Sequence, residues 1–265
     1  MRYITDKNRA ILREMVSTDF KVRYQGSVLG YFWSVLKPLL LFGVLYILFT
    51  YVAPIGKGVE HYGVSLLLGI VIWNFFAETT MVGASSVVAN GDLIRKISIP
   101  RYLVVVASTV SALINLSISM VVVIIFAFAN GIYPTLSWLL IFLLILELFI
   151  LGTGMAFILA TAYVKFRDVT YIWEVVLQVG FYGSAIIVPM VIVPSQYHDW
   201  FLMNPIVQIV QDARHLLIGS VNEITLWNTV SNNLAKFVPF AIVGMVAIFG
   251  FFYFKNKSKY FAEDI

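Results

Sequence analysis

The chain has 265 residues, 60% hydrophobic and 12% charged, with a mean hydropathy of +0.90, no cysteine and a formal net charge of +4. Soluble domains carry about a quarter charged residues, so this composition excludes an ordinary water-soluble globule and places the chain in a bilayer. Without cysteine there is neither a disulfide framework nor a thiolate metal site.

Ahead of the first long apolar run, the amino-terminal segment carries six basic side chains, Arg2, Lys7, Arg9, Arg13, Lys21 and Arg23, which is the wrong make-up for a cleavable signal peptide. Ile11, Leu12, Met15 and Val16 share one helical face, with Arg9 and Arg13 toward the polar side. That is the spacing of an amphipathic helix lying along a membrane surface. Asp19 and Arg23 rotate into the apolar arc if the helix runs on, so a bend is expected near residues 17–19.

Six long apolar runs follow, at 31–52, 64–88, 102–129, 136–164, 171–193 and 234–254, each reaching the ~20 residues that a spanning helix needs. The first presents Phe42, Tyr46 and Phe49 at i, i+4 and i+7, and the second places Asn74, Glu78 and Ser85 on one face. Between the second and third lies NGDLIRKISIPR (90–101), where Asn90-Gly91 marks a turn and Pro100 stops any helix. This connection has room for one short helix projecting Asp92, Arg95 and Lys96, with Leu93, Ile94 and Ile97 free to enter a partner's groove. On residues alone it reads first as an ordinary basic cytoplasmic loop.

Ser108, Ser111, Asn115 and Ser119 in the third run, and Gly152 and Gly154 in the fourth, have the look of small-residue helix contacts. Glu147 sits deep in the fourth run, as either a buried hydrogen-bonded carboxyl or a functional one. The fifth run carries Tyr171, Glu174, Gln178 and Phe181 as one polar and aromatic stripe. Such a face lines a path or packs on a neighbour, because an ionisable group in lipid costs a few kcal/mol. Pro189 and Pro194 then break the chain, and Asn204-Pro205 opens a helix ending near Gly219. Ile206, Ile209, Val210, Ala213 and Leu217 share one of its faces, opposite Gln208, Gln211, Asp212 and His215. At 1.5 Å per residue it covers only ~21 Å, too short to cross, so it reads as an interfacial or re-entrant helix capping an external opening.

Orientation follows from the cations, since short cytoplasmic loops collect Lys and Arg. With six spans both ends share a side, and that side holds the six amino-terminal cations, Arg95, Lys96, Arg101, Lys165, Arg167, Lys255, Lys257 and Lys259. Lys57, Arg214 and Lys236 fall on the other side, and Lys37 lies near the cytoplasmic end of the first run. His61, His198 and His215 then face outward, scattered as surface residues rather than grouped as metal ligands. The chain reads as one all-α transmembrane domain over 1–265, comprising a cytoplasmic amphipathic segment (1–30), a six-span region (31–254) and a cytoplasmic tail (255–265). It has no GxxxxGK[ST] loop, no nucleophile elbow and no soluble domain to house an active site, so covalent catalysis within this chain is not expected.

Four stretches carry a resemblance over nearly the full length: DFKVRYQGSVLGYFWSVLKPLL (19–40), NGDLIRKISIP (90–100), YVKFRD (163–168) and NPIVQIVQDARHLLIG (204–219). Together they resemble the membrane subunits of type-2 ATP-binding-cassette exporters of cell-surface polysaccharides. The resemblance implies a homodimer of six-span subunits in the bacterial cytoplasmic membrane, paired with two copies of a separate cytoplasmic ATPase. ATP and Mg would reside on that ATPase, with no cofactor in this chain. The implied cargo is lipid-linked O-antigen, teichoic acid or rhamnose-rich glycan.

Carried onto this sequence, the resemblance assigns Arg13, with its helix, and Asp92, Leu93, Ile94, Arg95 and Lys96 to the surface that receives the ATPase's motion. Lys21, Arg23 and Lys37, beside Tyr24, would meet the diphosphate of an undecaprenyl-type carrier, since Lys and Arg pair well with phosphate oxygens. Phe42, Tyr46, Phe49, Tyr171 and Phe181, with Glu174 and Gln178, would line a channel in which ring faces stack on sugars. The family usually has Ser-Pro late in the fifth run, where this chain reads Ser184-Ala185, so the proline that would kink the helix is missing. An ion-coupled secondary transporter is the alternative, with Glu78, Glu147 and Glu174 handling protons, although the two halves show no internal repeat. An integral-membrane transferase would have to work from the external histidines or loop carboxylates, and the loops joining the first four runs are very short.

Overall fold

The computed structural model describes residues 2–24, 32–53, 55–56, 59–96, 99–219 and 224–261, and all regular structure among them is helical. Helix α1 spans Arg2–Tyr24, and α2 spans Phe32–Ile47 and continues as a π-helical turn, Leu48–Val52. Then come α3 (Tyr62–Ala89), α4 (Gly91–Lys96), α5 (Tyr102–Ala129), α6 (Trp138–Lys165) and α7 (Val169–Gly183). Short helices α8 (His198–Leu202), α9 (Pro205–Ile218) and α10 (Leu226–Thr229) precede α11 (Val238–Lys257), which a 3-10 turn at Ala235–Phe237 introduces.

Four helical stretches among the described residues are long and apolar enough to cross a bilayer: Tyr62–Ala89, Tyr102–Ala129, Trp138–Lys165 and Ala235–Lys257. The apolar part of the first run, Leu36–Val52, is shorter. Helix α3 is the axis of the bundle: 72% of its most apolar window is buried, against 22–33% in the other three. Helices α2, α5, α6, α7 and α9 all pack on it.

Small residues set the closest approaches. A Cβ added to Gly83 would lie 2.5 Å from the Ala156 Cβ, and one added to Gly152 would lie 3.0 Å from Thr79, so α3 and α6 touch with almost no side chain between them. A Cβ on Gly154 would meet the Ala247 Cα at 2.7 Å, and one on Gly250 would run into the Gly154 carbonyl. The α6–α11 crossing therefore brings backbone against backbone, the contact that van der Waals packing in lipid rewards.

Two expectations about where helices bend and end change. Helix α1 runs unbroken through residues 17–19, where a bend was expected. It packs on α5, and Asp19 faces a cavity lined by Ser85, Ser86, Asn90 and Ser108, so a polar surface receives the residue that lipid would reject. The fifth apolar run is not one helix. It is helical only to Gly183, then Ala185 takes a left-handed conformation (φ 51°) and the chain turns away.

Candidate functional site

The break after α7 leaves backbone carbonyls deep in the protein, and each must find a donor. Arg214 of α9 supplies most of them: Nη1 donates to Ala185 O at 2.9 Å, Nη2 to Ile186 O at 2.7 Å, and Nε to Ser65 O at 3.2 Å on α3. The Tyr62 hydroxyl donates to the next carbonyl, Ile187 O, at 2.9 Å. Ser184 Oγ donates back to Gly180 O at 2.6 Å and closes the last turn of α7. The guanidinium fits because Gly69 has no side chain; a Cβ there would stand 3.0 Å from Arg214 Nη2. Arg214 is only 3% exposed and so is not one of the surface cations its place in the sequence suggested.

Helix α9 forms as its sequence dictates. The Asn204 side chain accepts from the Ile206 amide at 3.0 Å, Pro205 starts the helix, and Gly219 ends it in the left-handed conformation (φ 72°). The Trp138 indole, at the start of α6, donates to Leu217 O at 3.1 Å and satisfies one of the helix's terminal carbonyls. Its polar face was expected to lie at an interface, yet Gln208, Gln211 and Asp212 are all buried. Glu147 of α6 and the Leu226–Trp227 segment meet that face, and Ala185, Met190, Leu202, Val207, Leu226 and Val230 form a separate small core beside it. Gln208 Nε2 donates to Asp212 Oδ2 at 2.8 Å, and Gln208 also reaches Glu147 of α6. Burial raises the Asp212 carboxyl above the usual carboxylate range, against the opposing pull of Gln208, the Leu226 amide, His215 and Trp227.

The histidines divide as well. His198 is buried, with its Nε2 2.7 Å from Val193 O. His61 lies 3.8 Å from Glu60, and His215 is half-buried. The expectation of three surface residues therefore fails at His198, which is buried, and in part at His215, whose Nδ1 lies buried in a cavity wall.

Helix α7 carries most of its polar and aromatic stripe outward. Tyr171 is 71% exposed, and Glu174 and Gln178 are exposed beside it, while Phe181 is half-buried with its ring 6.0 Å from that of Trp73. Besides that ring contact, the Trp173 indole holds α7 to α3 by donating to Thr80 Oγ1 at 2.9 Å and meeting Phe76 edge-on at 6.3 Å, and Gly180 rests on Trp73, whose Cη2 would stand 2.7 Å from an added Cβ. Phe42 and Tyr46 on α2, and Phe49 on the π-helical turn that continues it, turn toward the core. Phe42 meets Phe126 edge-on at 5.4 Å, and Tyr46 lies over Gly63. The face of α2 that stands exposed instead carries Leu40, Val44, Ile47 and Tyr51.

A cavity of about 460 Å³ between α2, α3 and α5 joins residues that the sequence kept apart. Lys37 and Trp33 come from α2, Asn74 and Glu78 from α3, and Asn115 from α5, whose Nδ2 donates to Glu78 Oε1 at 2.7 Å. An ammonium, a carboxylate, two amides and an indole thus share one opening in an apolar bundle.

At the α4 end, Leu93 and the α1 residues Ile11 and Met15 line one cavity of about 530 Å³, and Ile94 packs against the core of Val87, Phe157, Phe254 and Phe261. Leu93 and Ile94 thus connect α1 and α4 to the packing of α3, α5, α6 and α11. Arg13 and Asp92 are exposed there, as is Lys37 on α2. The side chains of Lys21, Arg23, Tyr24, Arg95 and Lys96, and residue Ile97, lie outside the described residues.

The membrane-domain model of the ABC-2 type transporters matches residues 12–218. The chain is also similar to an O-antigen export system permease protein RfbA of Klebsiella pneumoniae, 28% identical over 256 residues, with 96% of this chain and 94% of the relative covered. A protein of the same name from Myxococcus xanthus is 25% identical over 234 residues (83% and 89%). The polysialic acid transport protein KpsM of Escherichia coli is 22% identical over 207 residues (77% and 80%).

Proposed function

Because the chain belongs to the ABC-2 type transporter family, we propose that it is the permease subunit of an ATP-driven exporter that moves a lipid-linked polysaccharide across the bacterial cytoplasmic membrane. The observation that carries this reading is the outward stripe of α7, where Tyr171, Glu174 and Gln178 stand exposed on a helix otherwise covered with Ile172, Val175, Val176 and Val179. A carboxylate facing lipid costs a few kcal/mol, whereas one facing a hydrated path does not. A twofold pair of chains encloses such a path between like faces, and stacked rings with a few polar groups hold sugars weakly enough for transit. In this reading α2 with its π-helical turn, and α7 together with the irregular chain that follows it to Val193, complete six crossings with both termini cytoplasmic, and the exposed face of α2 meets lipid or the second copy. Lys21, Arg23, Tyr24 and Lys37 receive the carrier diphosphate near the cytoplasmic leaflet.

Two copies of a separate ATPase, which holds ATP and Mg, act on α1 and α4. Their cytoplasmic position follows from the basic residues at that end. The buried contacts of Leu93 and Ile94 supply the route inward from that surface. Replacing Arg95 and Lys96 by Glu tests this directly: ATPase co-purification and glycan export both fall. Wild-type values for both remove the coupling role from α4.

A further inference from the structure

A second large cavity, of about 740 Å³, lies between α6, α9, α10 and α11, away from the α7 stripe and from the Lys37 cavity. Its wall is mostly apolar and borders the bilayer-facing surface: Leu140, Leu143 and Leu146 of α6 are 49%, 61% and 53% exposed. Polar groups converge at one place within it. Asp212 is only 6% exposed; its Oδ2 takes the Gln208 hydrogen bond, and the Leu226 amide and the Trp227 side chain approach the carboxyl, while its Oδ1 has no partner at full hydrogen-bond geometry. Glu147, which Gln208 also reaches, and His215 line the same cavity, and their Oε1 and Nδ1 atoms are buried without a hydrogen-bond partner.

All three atoms accept hydrogen bonds, the histidine nitrogen doing so in the tautomer that carries its proton on Nε2. The nearby guanidinium of Arg214 is turned the other way, toward Ser65, Ala185 and Ile186. A ligand suited to this place brings donors and positive charge at one end and hydrocarbon at the other. A primary ammonium offers three donors and no acceptor. Beside the cavity, Lys236 Nζ donates to the backbone carbonyl of the lining residue Trp227 at 3.2 Å. That holds a cation at one wall of the cavity, the charge that the phosphate of a zwitterionic headgroup needs beside it.

We propose that this cavity binds phosphatidylethanolamine from the surrounding bilayer: the ammonium sits between Asp212 and Glu147, the phosphate lies toward Lys236, and the acyl chains run along Leu140, Leu143 and Leu146. The leaflet concerned follows from the orientation proposed above, but the binding chemistry does not depend on the export reading. A lipid held here ties α6 and α11 to the cap built around α9.

The test uses the full chain, purified in mild detergent and offered phosphatidylethanolamine, phosphatidylcholine or phosphatidylglycerol with identical tails, with bound lipid counted by native mass spectrometry. Phosphatidylcholine is the informative control, since its quaternary ammonium has the charge but no N–H. The ethanolamine lipid is retained about tenfold or more over the choline lipid, the worth of one charge-assisted hydrogen bond. The Glu147→Gln/Asp212→Asn double variant loses that preference. Gly244→Leu is the second probe, because Gly244 lines the cavity and an added Cβ there meets nothing within 4 Å, so the variant fills the space without touching the carboxyls. It too loses the ethanolamine lipid. Equal retention of the two lipids by the wild type, or an unchanged preference in Gly244→Leu, overturns the proposal. Loss of export in cells leaves these counts unmoved, so the two readings fail separately.

Discussion

Replacing Arg214 by alanine removes three charge-assisted hydrogen bonds at once, to Ala185, Ile186 and Ser65. At about 1.5 kcal/mol each, the low end for a charged donor, they amount to about 4.5 kcal/mol. Relief of the guanidinium's own burial cost offsets part of this, and a net loss of about 3 kcal/mol remains. Against a total stability of about 5–15 kcal/mol, that is a large fraction. Arg214→Lys recovers only part of it, because one ammonium cannot span carbonyls on two separate segments as a planar fork does. The assay is reversible unfolding in mixed micelles, with hydrogen exchange read across residues 184–187. The expected outcome is a loss of about 3 kcal/mol for alanine, a smaller loss for lysine, and faster exchange confined at first to the broken segment. An alanine variant within about 0.5 kcal/mol of wild type, the range of an ordinary surface substitution, refutes the argument that Arg214 holds the break.

The α6–α11 crossing gives a steric prediction: Gly250→Leu drives a side chain into the Gly154 carbonyl. Since backbone cannot yield as a side chain does, it costs at least about 1–3 kcal/mol in the same unfolding assay, while Gly244→Leu on the open side of α11 costs less. The tether of α7 gives an energetic one. Trp173→Phe and Thr80→Ala each lose the 2.9 Å hydrogen bond, and a double-mutant cycle between them returns a coupling of about 1 kcal/mol; a coupling near zero means that the ring contacts alone hold the helix.

Much of the bundle is legible in the sequence because hydropathy and small residues act locally. Four apolar runs correspond to long helices, and Gly152 and Gly154 are contacts between helices, as a small-residue face in lipid requires. Asn204, Pro205 and Gly219 mark the ends of α9 because capping involves only the residues beside it. The end of α7 is different. No proline or glycine stands at 184–188, apolar character continues past the break, and the group that stabilises the turn lies on α9, about thirty residues further along. Local periodicity carries no trace of such a partner.

The burial of Gln208, Gln211 and Asp212 was hidden for a related reason, since the groups that meet this face, Glu147 of α6 and the Leu226–Trp227 segment, lie outside α9 in the chain. Lys37, Glu78 and Asn115 each drew a separate reading, as a phosphate-facing cation, a path residue and a packing residue. Only the packing of α2 and α5 on α3 places them around one opening. The aromatic spacing on α2 was visible, but its direction depends on Phe126 and Gly63 and was not. An unpaired helix face and a core face share the same period.

The central claim is that this chain conducts cargo and a separate ATPase drives it. The direct measurement reconstitutes the chain in vesicles with lipid-linked glycan on the cytoplasmic-equivalent side, with and without its ATPase, and follows the appearance of glycan across the bilayer. The account predicts transfer only when ATPase, ATP and Mg are all present, and none when a non-hydrolysable analogue replaces ATP. Uphill transfer by the chain alone, or transfer sustained by an ion gradient in place of ATP, would contradict it.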